Sequence, residues 1–169
     1  MLQMTWPGAP TLYYGDEAGL CGFTDPDSRR TYPWERENRE LLQFYRSVIK
    51  MHRSCPVLRK GSLKMLCAGK NLLVYGRFNE EEQVIVAINQ GCEEKDVELP
   101  IWETGLSRTE EAATLIEIFR TDHTGFYEKE REHTAVAGIL AVRLLPQSAY
   151  VFLHRENVQS EKMVTGYGQ

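Results

Sequence analysis

Long apolar runs are missing from this 169-residue chain, and no stretch approaches the ~18 apolar residues a membrane-spanning helix needs. The opening residues, Met1-Leu2-Gln3-Met4-Thr5-Trp6-Pro7-Gly8, lack a basic stretch followed by an apolar one, so they do not read as a secretory leader. Cysteine is sparse: Cys21, Cys55, Cys67 and Cys92 form no C-x-x-C pair. The histidines, His52, His123, His133 and His154, do not flank them at zinc spacing. Free thiols in a reducing cytoplasm are therefore the expectation, with no metal and no other cofactor implied. A surplus of positive charge is also absent, since 20 Lys and Arg are interleaved with 24 Asp and Glu for a net charge of −4. Polyanion binders carry a clustered basic face, so neither nucleic acid nor membrane is an expected partner. Gly15-x-x-x-Gly19 lacks the Lys-Ser/Thr that a phosphate-binding loop requires.

What is present is an ordinary globular composition, 42% hydrophobic and 26% charged. A chain of this size buries about 68–70% of its unfolded surface, enough for a real core. Thr11-Leu12-Tyr13-Tyr14 is a short β-branched and aromatic run between turn formers and reads as a buried strand. From Gly15 to Pro33 there is no periodicity, and Asp25-Pro26-Asp27-Ser28-Arg29-Arg30 is densely charged. Loops this long are commonly functional. From Asn38 to Arg53, Leu41, Leu42, Tyr45, Val48, Ile49 and His52 recur at helical spacing until Pro56 stops the run.

After Gly61 the period falls to two. Strands are expected at Ser62–Cys67, Leu72–Phe78, Gln83–Asn89, Asp96–Leu99, Leu115–Phe119, Ile139–Leu144 and Tyr150–His154. Asp122 to Thr134 is charged and irregular and reads as a loop. The fold class expected is mainly β, an antiparallel β-sandwich over residues 61–155, preceded by a strand-loop-helix unit over residues 1–60 and followed by a polar tail over 156–169. One strand and one helix cannot form a domain, because the strand's backbone groups stay unpaired. Residues 1–60 must lean on the β-domain, on a second copy through self-association, or on a further partner.

Trp6-Pro-Gly-Ala-Pro-Thr-Leu-Tyr-Tyr-Gly-Asp-Glu17, continued by Gly22-Phe-Thr-Asp-Pro-Asp-Ser-Arg-Arg-Thr-Tyr-Pro-Trp34, closely resembles the eighth strand and following loop of the α-amylase-family (β/α)₈ barrel. The likeness is greatest to the neopullulanase, cyclomaltodextrinase and maltogenic amylase group. Leu58-Arg59-Lys60-Gly61 and Val74-Tyr75-Gly76-Arg77-Phe78 resemble the end of the last barrel helix and the start of the C-terminal β-sandwich. The resemblance implies an α-glucan oligosaccharide, maltodextrin or cyclodextrin, as substrate and a barrel portion as partner.

Active sites of such barrels lie at the C-terminal ends of the strands, in the loops that follow them. A carboxylate beside a guanidinium fork can hold adjacent sugar hydroxyls, which both donate and accept. The resemblance puts Asp25 and Arg29 in contact with a glucosyl unit. The alternative is that Asp25, Asp27, Arg29 and Arg30 form an ion-pair network that merely fixes the loop.

Asp16-Glu17 does not read as a catalytic pair. Retaining glycosidases need two carboxyl groups about 5–5.5 Å apart across the scissile bond, and adjacent residues of an extended chain project to opposite faces. The resemblance places the nucleophile, the acid and an assisting aspartate on earlier barrel strands. No catalytic residue is therefore assigned here, and the chain alone is expected to be inactive. His52 reads as a packing histidine, Trp6 and Trp34 as local packing ahead of sugar stacking, and Trp102 as sandwich-edge packing. A rival reading is a stand-alone glucan-binding sandwich, with Tyr75, Tyr127 and Tyr150 as its aromatic platform. A third has the β-domain only shielding a barrel.

Overall fold

Period-two patterning beyond Gly61 becomes nine antiparallel strands among the described residues, 1–106 and 112–155 of a computed structural model. They are β1 (Ser62–Gly69), β2 (Leu72–Phe78), β3 (Glu82–Asn89), β4 (Lys95–Pro100), β5 (Ala113–Asp122), β6 (Gly125–Tyr127), β7 (Arg131–Ala135), β8 (Ile139–Leu144) and β9 (Ser148–Arg155). Before them lie three helices: α1 (Leu2–Thr5), α2 (Arg39–Ser54) and α3 (Val57–Lys60). The polar tail expected over 156–169 falls outside the described residues.

The main sheet runs β1-β2-β3-β9-β5-β6, with β7 also paired to β5, while β4 and β8 form a separate two-stranded ribbon. The central strands are buried on both faces, so Val84–Ala87 form a continuous apolar run. Successive side chains alternate between two cores. Val84 and Val86 join Val48, Met51, Val57 and Leu58 from the helices. Ile85 and Ala87 join Leu99, Leu140 and Leu144 from the ribbon. Tyr75, Val151 and Leu153 belong to the helix side, and Val74, Tyr150 and Phe152 to the ribbon side. The sandwich thus has a helical layer on its other face.

Two irregularities re-aim side chains. A bulge between Glu117 and Phe119 shifts the register of β5 against β9, so Leu115 faces the ribbon while Phe119 faces the helices. At Gly76 an added Cβ would lie 2.2 Å from Thr104 Cγ2, and only glycine lets the 3₁₀ turn Ile101–Thr104 close on β2.

Helix α2 matches the expected helix within a residue at each end. The Asn38 side chain caps it by accepting from Leu41 N at 3.0 Å, and Pro56 follows its end. Two expectations need correction. Thr11–Tyr14 is not a strand: Tyr13 and Tyr14 are exposed, and no ladder forms there, because none of the described strands runs alongside to pair with it. Asp122–Thr134 is not a plain loop. An Asx turn, with Asp122 Oδ1 accepting from Thr124 N at 2.9 Å, folds β6 back onto β5, and β7 pairs with β5 in turn. The charged residues around them concealed these strands, which pair with β5 at the margin of the sheet.

Candidate substrate-binding loop

Backbone geometry at the base of the long loop comes from two glycines. Gly15 at φ 92° and Gly19 at φ 73° flank the 3₁₀ turn Asp16–Ala18, in a region that other residues occupy at a cost. Glu17 Oε2 accepts from Gly15 N at 3.0 Å, which is a loop-positioning role for that carboxylate. Asn38 N donates to Ala18 O at 3.0 Å and ties the loop base to the start of α2.

The distal part is a second 3₁₀ turn, Asp27–Arg29. Asp27 does the internal work. It accepts from Arg30 Nε at 2.7 Å and, through its other oxygen, from Phe23 N at 3.3 Å. The hydrogen bond from Arg30 holds the Asp27 carboxyl below its ordinary pKa. Arg30 in turn offers its carbonyl to the Tyr14 hydroxyl at 2.9 Å, joining the loop's far end to its start.

Asp25 and Arg29 form the outer pair, with Arg29 Nε 2.9 Å from Asp25 Oδ1 and side chains 60% and 72% exposed. All four charges are thus paired, as the loop-fixing alternative requires. The two pairs differ in their surroundings: Asp27 also binds backbone, whereas Asp25 and Arg29 are open to solvent. An ion pair so exposed is weak and readily exchanged for other hydrogen-bonding partners.

Aromatic rings accompany the outer pair in the same loop. Phe23 is 92% exposed. Trp34 touches Tyr32, with ring centroids 4.6 Å apart, yet stays 75% exposed, more open than local packing implies. Trp6 does pack, edge-on to Tyr75 at 5.2 Å. His52 is buried with Nδ1 2.7 Å from Met4 O, a satisfied packing histidine. Tyr75 and Tyr150 are buried in the two cores and only Tyr127 is partly open, so these three tyrosines make no sugar platform. Among the described residues no three His, Cys, Asp or Glu side chains converge to hold a metal. No described helix is long and apolar enough to cross a membrane.

A buried seam between the N-terminal segment and the sheet was not anticipated. Arg77, inside an apolar strand, donates to Thr5 O and Gly61 O, each at 2.9 Å, and the Tyr75 hydroxyl bonds Thr5 Oγ1 at 2.5 Å. An arginine within the run Leu72–Phe78 was the signal available. Glu82 completes the seam by accepting from Val57 N at 3.2 Å and Arg155 Nε at 2.8 Å.

Comparison with known proteins finds the family model described as the α-amylase C-terminal domain matching residues 61–135. Over that stretch the chain is similar to an α-amylase C-terminal domain. The matched stretch begins where the hydrophobic period changes and takes in β1 through β7.

Neopullulanase 2 of Thermoactinomyces vulgaris is 38% identical over 109 residues, covering 62% of this chain and 19% of that protein. A cyclomaltodextrinase of Geobacillus thermopakistaniensis is 34% identical over 105 residues, or 60% of this chain and 18% of that protein. The chain thus spans under a fifth of the length of these relatives. Among solved structures, the debranching enzyme of Nostoc punctiforme superposes with TM-score 0.66 at 28% identity, covering 89% of this chain and 29% of that one. The α-amylase of Geobacillus thermoleovorans, complexed with acarbose, reaches TM-score 0.75 at 23% identity over 92% of this chain and 32% of that one, a likeness of fold. Such coverage exceeds what the α-amylase C-terminal domain alone supplies, so part of residues 1–60 has counterparts there too.

Proposed function

We propose that the chain is the C-terminal segment of an enzyme that hydrolyses α-glucosidic bonds in maltodextrins or cyclodextrins. Residues 1–60 contribute a substrate-binding loop and residues 61–155 an accessory β-domain that covers one side of the catalytic barrel. The cytoplasm is the proposed location, from the free thiols of Cys21, Cys55, Cys67 and Cys92.

The observation that carries the reading is the outer ion pair. Asp25 and Arg29 stand solvent-exposed, 2.9 Å apart, in a loop that Asp27, Arg30 and Tyr14 already hold together. Each can release the other and take up a sugar hydroxyl, the carboxylate as acceptor and the guanidinium as donor. Phe23 and Trp34 bring apolar ring area for the CH faces of the sugar. The chain supplies recognition here, and the paired acid and nucleophile belong to a part of the barrel outside it.

Two measurements test this. The 169-residue chain should not turn over an aryl maltoside or a cyclodextrin; turnover abolished by Asp16→Asn with Glu17→Gln would refute the reading. In the full-length parent enzyme, Asp25→Asn or Arg29→Ala should lower kcat/KM for maltooligosaccharides about ten- to a hundredfold, the effect of losing a charged hydrogen bond. Unchanged kinetics in both variants would leave the pair with a loop-fixing role only.

A further inference from the structure

We infer that the sheet carries a second sugar-holding site, remote from the Asp25 loop, where the ribbon face runs out beyond the 3₁₀ turn Ile101–Thr104. Directly opposed residues on neighbouring strands point to one face. By register Ser62 stands opposite Phe78, Phe78 opposite Gln83, and Gln83 opposite His154, which makes a single cross-strand row. Gln83 is two residues from Ile85 and shares its face, the one packed against β4 and β8. Near Gln83 a groove of about 650 Å³ opens, with Thr104 and Gly105 at its border. Small-molecule sites occupy roughly 300–1,000 Å³.

The chemistry inside it is unusual for a sheet end. Gln83 is 4% exposed, and its Oε1 is buried without a hydrogen-bond partner among the described residues. Buried amide oxygens are almost always satisfied, so this one calls for a donor that the described residues do not supply. Phe78, half-buried beside it, gives an aromatic wall. Lys60 lies on the rim together with Glu80 and Glu81.

With charges of both signs there, the groove suits neither a phosphate nor a cation. It suits a neutral ligand rich in groups that donate and accept, with apolar CH faces for the ring. A glucosyl unit has that chemistry. The assignment to α-glucan in particular rests on the parent enzyme's proposed substrate; the groove itself does not involve Asp25 or Arg29.

The test is affinity electrophoresis of the 169-residue chain in gels containing soluble starch, with calorimetric titration of maltoheptaose. The wild type should be retarded. Gln83→Leu and Phe78→Ala should each weaken binding about tenfold, as expected for one lost neutral hydrogen bond or stacking contact. Gln83→Leu should melt no lower than the wild type, because it removes a buried unpaired oxygen, so its binding loss would not reflect unfolding. Unretarded wild type, or full retardation of both variants, overturns the inference. Retardation lost in Asp25→Ala/Arg29→Ala but kept in Gln83→Leu also overturns it and leaves the loop reading intact. Retention in the loop variant, with the parent's kinetics unchanged by Asp25→Asn and Arg29→Ala, would sink the loop reading while this site stands.

Discussion

Arg77 shows how one residue can join two parts of a chain. Its guanidinium is 1% exposed and spends two donors on the carbonyls of Thr5 and Gly61, so α1 and the start of β1 are fixed to β2 by one side chain. Arg77→Ala would leave both carbonyls short of a donor and open a cavity. A loss of about 2–5 kcal/mol is expected in urea unfolding, at about 1–3 kcal/mol for each buried carbonyl left without its donor, with the lost packing besides. The cysteines offer a second residue-level check. Cys55 is buried and burial pushes its thiol pKa up, whereas Cys21 and Cys92 are exposed. Ellman's reagent should modify Cys21 and Cys92 rapidly in the folded protein and reach Cys55 only after denaturant is added. Rapid native-state reaction of Cys55, mapped by peptide mass, would contradict the buried core drawn around α2 and α3.

At the scale of elements, the β4–β8 ribbon depends on cross-strand pairing. Asp96 stands opposite Arg143, which donates to it through Nε at 2.8 Å and a terminal nitrogen at 3.1 Å. That hydrogen bonding holds the Asp96 carboxyl below its ordinary value of 3.8. A carboxyl whose pKa is depressed by folding stabilises the protein above its unfolded-state pKa, and the contribution vanishes as pH falls through the lower folded-state value. The wild type should therefore melt above Asp96→Asn at neutral pH, and the two melting curves should converge in acid, below about pH 4. A gap that persisted undiminished at lower pH would show that the aspartate acts by packing alone. The margin strands β6 and β7 belong to this scale as well. Phe126 of β6 packs on Phe119 of β5 and on Phe44 of α2, with centroids 5.9 and 5.8 Å apart, so a segment that reads as polar loop contributes a ring to the helix-side core.

For the molecule as a whole, the join between the N-terminal segment and the sheet is not a linker. Val57 and Leu58 of α3 are fully buried among Tyr75, Val84 and Val86, and Glu82 caps α3 from the other side. The sheet and the helices before it therefore share one core, on the face opposite the ribbon. Leu58→Ala should cost about 2–5 kcal/mol. It should lower one cooperative transition, seen alike by far-UV circular dichroism and by tryptophan fluorescence, instead of splitting it in two. Two separated transitions would mean that helices and sandwich fold as independent units.

The sequence by itself determined the class of fold, the helix from Asn38 and the positions of seven strands, because hydrophobic period, capping residues and turn formers act locally. It also located the charged loop, since Asp25-Pro26-Asp27-Ser28-Arg29-Arg30 is a contiguous motif. Tertiary structure alone decided what required a distant neighbour. Thr11–Tyr14 has the composition of a strand but no ladder partner. Gly125–Tyr127, short and set among charged residues, and Arg131–Ala135, largely polar, are strands because β5 lies beside them. Tyr75 and Tyr150 look available in sequence and are enclosed by residues far along the chain. The partners of Arg77 and the unpaired Gln83 oxygen were likewise invisible, since hydrogen bonding and burial depend on which side chains the fold brings together.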